Sequence, residues 1–279
     1  MIRLGAPLFQ PYDSPEGWVA AVRQAGFRAA YCPIDHHADD ETITAYAAAA
    51  EAADICIAEV GAWSNPLSPD PAERQAALEK CQQSLALADK IGARCCVNIA
   101  GSRGKKWDGP SAADYEPDTF ELIVTTVREI IDVVRPRRTF YTLETMPWLL
   151  PDSPQSYLAL LNAIDRPAFA VHFDPVNLIN SPRRYYQQRP LLKEFFTLLG
   201  PYIKSCHAKD VIIRPEPLVH LSEVTPGQGR FDYSFFLWGL KQLGREMAVM
   251  LEHVEGEADY QQGARFIRRV ATEEKIPLA

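Results

Sequence analysis

Three carboxylates and an imidazole stand at the ends of four consecutive β-like runs. These runs close as Leu143-Glu144-Thr145, Phe173-Asp174-Pro175, Cys206-His207-Ala208 and Leu251-Glu252-His253. Each of the four groups is a metal ligand, and an ionised carboxylate is also a proton acceptor. Three carboxylates brought to one point repel, which raises their pKa values unless a cation sits among them. Oxygen donors with one imidazole suit Mn²⁺, Mg²⁺ or Co²⁺, and leave Zn²⁺ open. Strand alternation tests whether they share a destination. With Glu144 turned inward, Tyr141 and Leu143 face the other way. With Asp174 inward, Val171 and Phe173 face out and His172 joins Asp174. His207 leaves Cys206 and Ala208 outside, and Glu252 leaves Leu251 and His253 outside. Apart from His253, the outward set is apolar, as a helix-covered face requires.

Such groups work together only if a scaffold carries all four strand ends to one place. Eight β-like runs alternate with helical stretches: Ile2–Phe9, Phe27–Ile34, Ile55–Trp63, Cys95–Ala100, Thr139–Met146, Phe169–Asn177, Ile203–Val211 and Ala248–Val254. Helix starts are written between them. Ser14-Pro15-Glu16, Asp70-Pro71-Ala72-Glu73 and Ser153-Pro154-Gln155 each put a capping side chain before a first-turn proline. Pro117-Asp118 and Asp232 open further helices, and Ala-rich Tyr46–Ala53 favours one. Strand–helix alternation means parallel strands, and eight units close a (β/α)8 TIM barrel, an α/β fold of roughly 250 residues. One such domain over residues 1–279 is expected. An open doubly wound sheet would carry a glycine fingerprint after its first strand, where this chain reads Leu8-Phe9-Gln10-Pro11-Tyr12-Asp13.

Bulk composition narrows the partners. Hydrophobic residues are 47% and charged residues 23%, enough apolar mass for a large core. A net charge of −7 disfavours nucleic acid and anionic membranes. No apolar run approaches the ~20 residues that span a bilayer, and no signal segment precedes the first strand. The six cysteines show no disulfide or zinc rhythm and read as reduced thiols. A cytoplasmic protein is expected.

The four strand ends, with His172-Phe173-Asp174-Pro175-Val176-Asn177, Ser205-Cys206-His207-Ala208-Lys209-Asp210 and the Gly227-Gln228-Gly229 loop, resemble the xylose isomerase-like TIM barrels. That group includes sugar phosphate isomerases and epimerases, inosose dehydratases and ketose 3-epimerases. The resemblance covers essentially the whole chain. It implies a metal site of Glu144, Asp174, His207 and Glu252, commonly for Mn²⁺, with Glu144 and Glu252 doubling as catalytic acid and base. His172, Asn177 and Lys209 are the candidate substrate contacts: His172 lines the pocket one layer below the metal or is a core histidine, and Lys209 touches substrate oxygens or is a salt-bridged lysine. Two departures stand out: Asn177 occupies the position of a substrate histidine in ketose 3-epimerases, and their arginine after the strand-seven histidine has no clear match. Lys209 or Arg214 is left to serve.

The expected chemistry is isomerisation or epimerisation of a sugar or sugar derivative. A metal on a carbonyl oxygen stabilises the enediolate left when the neighbouring carbon loses a proton. Loss of a leaving group from the same enediolate makes a lyase instead, of the dehydratase or 3-oxo-C-glycoside deglycosidase type. The Asp174–Leu178 and Ser181–Tyr186 stretches resemble the latter. A non-catalytic sugar-binding barrel is the third reading, disfavoured because binding needs no pair of opposed glutamates. The expected partner is thus a small sugar or glycoside, within a monomer, homo-oligomer or hetero-oligomer. Trp63, Trp107 and Trp148, just past three strands, offer flat walls for a ring or pack as a lid. Gly101-Ser102-Arg103-Gly104 touches an anion or is turn chemistry. Arg183-Arg184-Tyr185-Tyr186 reads as a helix start or an oligomer contact.

Overall fold

A computed structural model describes residues 1–279. Eight parallel strands form one sheet: β1 (Ile2–Gly5), β2 (Ala29–Tyr31), β3 (Cys56–Gly61), β4 (Cys95–Asn98), β5 (Tyr141–Glu144), β6 (Phe169–Phe173), β7 (Ile203–Ala208) and β10 (Met247–Leu251). Their order is β1-β10-β7-β6-β5-β4-β3-β2, so sequence neighbours lie side by side around the ring. The remaining seam, between β1 and β2, is spanned by the Arg28 N–H donating to Leu4 O at 3.1 Å. A Cβ on Gly5 would come within 2.4 Å of Ala29 O there, so the seam needs a residue without one. Residues 277–279 run beside β1, with the Ile2 and Leu4 N–H groups donating to Pro277 O and Ala279 O. This is the expected (β/α)8 barrel. No helix is long and apolar enough to cross a membrane.

The expected helix starts are realised with their caps. Ser14 Oγ accepts from Gly17 N at the head of α1 (Pro15–Gln24). α2 (Asp40–Ala52) contains most of the Ala-rich stretch. Asp70 accepts from Ala72 and Glu73 N–H groups at α3 (Pro71–Ile91), whose end is closed by left-handed Gly92. Ser153 makes a capping box at α5 (Pro154–Ile164). Ser181 caps the short α6 (Pro182–Tyr186), so the Arg183–Tyr186 segment is a helix start. It is followed by α7 (Gln188–Leu199). Asp232 accepts from Phe235 N at α8 (Tyr233–Gln242), and α9 (Gly256–Glu273) closes the ring. Asp118 departs from the pattern: it makes no side-chain cap on α4 (Thr119–Val134) and pairs with Arg103 at 2.6 Å instead.

Two corrections concern the strands. The runs expected from sequence overreach, because their last residues are loop: β6 stops at Phe173 and β10 at Leu251. The run Ile203–Val211 is not one strand. It breaks at Lys209 into β7 and a separate antiparallel hairpin, β8 (Asp210–Ile213) with β9 (Leu221–Val224). The side chain of Asp210 makes this hairpin possible. Its carboxylate accepts four backbone N–H groups, from Val211 (2.8 Å), Gly227 (2.9 Å), Gly229 (3.0 Å) and Phe231 (2.8 Å). The Gly227-Gln228-Gly229 loop thus wraps a carboxylate. Gly227 sits at φ +97°, and a Cβ on Gly229 would lie 2.2 Å from Asp210 Oδ1.

Outward-facing strand residues bind the helices. Phe173 stacks on Phe195 of α7 at 3.7 Å and 10°, and meets Phe236 of α8 edge-on at 5.9 Å. Burying such a ring stabilises the fold by about 1.5–3 kcal/mol and locks the register of β6. Asp174, the next residue, is thereby committed to the opposite side.

Candidate metal and active site

Glu144, Asp174, His207 and Glu252 converge at the C-terminal mouth. Each contributes one donor atom to a group whose members all lie within 4.8 Å of one another. His207 Nδ1 is 2.8 Å from Glu252 Oε2, 3.1 Å from Glu144 Oε1 and 3.9 Å from Asp174 Oδ2. The reason is register. Glu144 pairs across the sheet with His172, and Met250 with His207, so β5, β6, β7 and β10 present these groups at neighbouring heights. Asp174 is aimed by its own turn: Oδ1 accepts from the Val176 and Asn177 N–H groups, at 2.9 and 3.2 Å. Its other oxygen, Oδ2, and Glu252 Oε2 are buried with no hydrogen bond of good geometry, and their close neighbours are cationic: Lys209 Nζ beside both and His207 Nδ1 beside Glu252. Three carboxylates and one imidazole, with donor atoms all within 4.8 Å of one another, are a donor set that fits a divalent metal.

Lys209 lies among the same carboxylates, with Nζ 2.9 Å from Asp174 Oδ2, 3.0 Å from Glu252 Oε2, 3.5 Å from Glu223 and 3.8 Å from Glu144. Burial opposes its charge, but Asp174 and Glu252 outweigh this and hold its pKa well above the ordinary lysine value. His207 behaves alike: burial would lower its pKa, yet Glu252, Glu59 and Glu144 raise it well above the usual range. Glu144 is pushed up to about 7 by burial and by the charge of Glu252. Glu252, though buried, is held well below the ordinary carboxylate range by His207 and Lys209. Without a cation in the mouth, Glu144 thus keeps its proton to higher pH than Glu252 does. A bound cation would replace the positive charge that the His207 proton supplies.

The mouth opens into a cavity of about 730 Å³. Glu144, Asn177, Lys209 and Glu252 line it, under a wall made by Trp63, Trp107 and Trp148. Asn177 Nδ2 donates to Glu144 Oε1 at 3.1 Å and turns that carboxylate. Another cavity of about 580 Å³ opens under Arg3 and Arg94 at the opposite end of the barrel, out of reach of the four donors.

Several side chains lie elsewhere than the sequence reading puts them. His172 does not reach the cavity. It is fully buried one layer below, because two residues along a strand is one step down the barrel. His253 does not turn outward: the strand has ended and the residue sits at φ +55°. Its ring meets Glu223 at 2.9 Å and Glu252 at 3.3 Å on the cavity rim. Arg214 is on the far end of the hairpin, where it donates to Ser222. The Gly101–Gly104 loop, by contrast, follows the turn-chemistry reading, with Ser102 and Arg103 bound by Asp114 and Asn65.

Glu59 has no place in the sequence reading, yet it is 1% exposed in the barrel interior. Between β2 and β3, Ala30 pairs with Ile57 but Tyr31 with Glu59, so Ala58 is an extra residue. That bulge turns inward a carboxylate that strict alternation from inward Ala58 would face outward. The available signal was a lone carboxylate inside the apolar run Ile55–Val60.

Residues 19–270 match the sequence profile of the xylose isomerase-like TIM barrels. The chain belongs to that family. Among curated proteins it is 26% identical over 143 residues to a 3-dehydroshikimate dehydratase from Bacillus anthracis; the match takes in 50% of this chain and 45% of that protein. The chain thus spans less than half the length of the curated relative it matches. Among solved structures, D-psicose 3-epimerase with D-tagatose from Clostridium cellulolyticum H10 superposes with a TM-score of 0.70 at 17% identity, covering 96% of this chain and 98% of that one. A xylose isomerase-like TIM barrel protein from Mycobacterium smegmatis in complex with magnesium gives 0.66 at 16% identity, covering 94% and 90%. These two likenesses establish the shared fold.

Proposed function

We propose that this barrel is a divalent-metal-dependent isomerase or epimerase of a sugar or sugar derivative, moving a proton at a carbon beside a carbonyl. The observation that carries the reading is the convergence of donor atoms from Glu144, Asp174, His207 and Glu252 within 4.8 Å of one another at the floor of the cavity. Glu144, Asp174, His207 and Glu252 would hold the cation, with Mn²⁺ the first expectation. Bound there, it supplies positive charge to the carbonyl oxygen as negative charge builds on it, an effect worth several kcal/mol.

The residues do the rest. Glu252 is suited to take the proton and Glu144 to return one, steadied by the amide of Asn177. Return to the same face of the substrate gives an aldose–ketose shift, and return to the opposite face an epimer. Lys209 is placed to donate to a substrate oxygen, and the tryptophan wall keeps water away from the reacting carbon. A dehydratase is the second reading, favoured by the match to a 3-dehydroshikimate dehydratase. It uses the same proton removal, followed by loss of hydroxide from the next carbon.

Candidate sugars incubated with the Mn²⁺-loaded protein in D₂O separate these outcomes by NMR. Deuterium at the carbon beside the carbonyl, with an isomer or epimer formed, supports the first reading. A dehydrated product supports the second. With neither product nor exchange across ketoses, aldoses, their phosphates and 3-oxo-glycosides, the catalytic reading fails.

A further inference from the structure

Below the four donors lies a second, drier cluster. Glu59 Oε1 is 3.4 Å from His207 Nε2, and Glu59 Oε2 is 3.5 Å from His172 Nδ1. His172 and His207 meet edge-on, with ring centroids 4.1 Å apart. Neither oxygen of Glu59 has a hydrogen-bond partner, nor do the imidazole nitrogens that face it, and its ion-pair contacts are these two imidazoles. A carboxylate held so deep costs several kcal/mol unless it is paired, and a β-bulge is needed to bring it there.

His207 explains the placement. Its Nδ1 faces Glu144, Asp174 and Glu252, so Nδ1 is the atom offered to a cation. A neutral imidazole that gives one nitrogen to a metal carries its proton on the other. The carboxylate facing that other nitrogen is Glu59. The geometry assigns Glu59 as the positioning residue of the metal centre: facing His207 Nε2 at 3.4 Å, it would accept the Nε2–H once a cation takes Nδ1, and so fix the tautomer and the plane of the ring. His172 steadies Glu59 from the side. A carboxylate behind a ligating imidazole also strengthens its donor nitrogen, and removing one weakens metal binding roughly 10–100-fold. This assignment rests on the reading of the four mouth residues as metal ligands.

The test is Mn²⁺ titration of the full chain, with free ion followed by electron paramagnetic resonance. Glu59→Leu is expected to raise the Mn²⁺ Kd by roughly 10–100-fold. Glu59→Gln, which keeps an accepting oxygen, is expected to show a smaller rise. Thr142→Val is the control for a merely structural effect. It removes a buried interior hydroxyl that donates to Cys96 O, and is expected to lower Tm while leaving the Kd in place. The Mg²⁺-loaded, ¹⁵N-histidine protein gives an independent readout by two-bond ¹H–¹⁵N correlation. His207 should carry its proton on Nε2 in the wild type, and the Nε2 signal should move in Glu59→Gln. Should Glu59→Leu fail to fold, Glu59→Gln decides by the same two readouts. Folded variants with wild-type Kd and an unmoved His207 signal overturn the assignment and leave the metal site standing. A wild type that binds no Mn²⁺ overturns both.

Discussion

Replacing Glu144 by Gln should make the cation-stripped protein more stable at high pH. Burial and the charge of Glu252 raise the Glu144 pKa from 4.5 to about 7. Folded Glu144 thus holds its proton more tightly than the unfolded chain does. Its contribution to stability is fully present below pH 4.5, fades as pH rises, and is gone above about 7. The shift of roughly two and a half units corresponds to about 3 kcal/mol, at 1.36 kcal/mol per unit. Glutamine keeps the shape and carries no charge to desolvate, so Glu144→Gln escapes this loss. In chelator at pH 8 the variant should unfold later than wild type by up to about 3 kcal/mol, or several degrees in Tm. At pH 4.5 the difference should vanish. Added Mn²⁺ should reverse the order, because the wild type gains the full binding free energy and the variant has lost one anionic ligand. Paired urea and thermal melts at pH 4.5, 6 and 8, with and without Mn²⁺, measure all of this. A variant less stable than wild type in chelator at pH 8, or a difference indifferent to pH, would refute the reasoning.

Further outcomes are expected. Glu252→Gln should lower kcat by roughly 10²–10⁴-fold and abolish deuterium exchange while Mn²⁺ remains bound, as dialysis and metal analysis would report. Mn²⁺ affinity should climb steeply with pH below about 7, where protons on both Glu144 and His207 compete, and by only roughly tenfold per unit above it, where the His207 proton alone still does; isothermal titration at pH 6, 7 and 8 checks this. Phe173→Ala should cost about 3–5 kcal/mol in urea melts, since its stacked ring holds β6 against α7. Gly229→Ala places a methyl against Asp210 and should raise KM more than it lowers kcat, by loosening the hairpin that carries Glu223. An unchanged KM would show that the hairpin holds without that loop.

The barrel was legible because its signals are local: a proline-headed helix start at Pro71 or Pro154, a capping Asp70 or Ser153, an apolar strand run. The convergence of Glu144, Asp174, His207 and Glu252 was legible too, since each sits at a strand end where parity decides direction. What escaped depends on contacts distant in sequence. The bulge at Ala58 is set by pairing between β2 and β3, so parity gives Glu59 the wrong face. Val211 continues an apolar run, and the break at Lys209 follows from four N–H groups that Asp210 gathers, three of them seventeen to twenty-one residues later. His172 shares the parity of Asp174, but parity gives a side and not a depth.

The Asp210 anchor has a consequence for how this site can change. All four of its partners are backbone N–H groups, so the anchor reads no side chain beyond requiring two glycines. The segment between Ile212 and Ser222 can therefore be rewritten without disturbing the strands that hold Glu144, Asp174 and His207. Val219 and Leu221 face the cavity from that segment. The barrel is built as a socket with an exchangeable rim: one part fixes the four converging mouth residues, the other is free to change its sequence. Grafting hairpins of different sequence between Val211 and Glu223 would reshape this rim while leaving the four mouth residues in place.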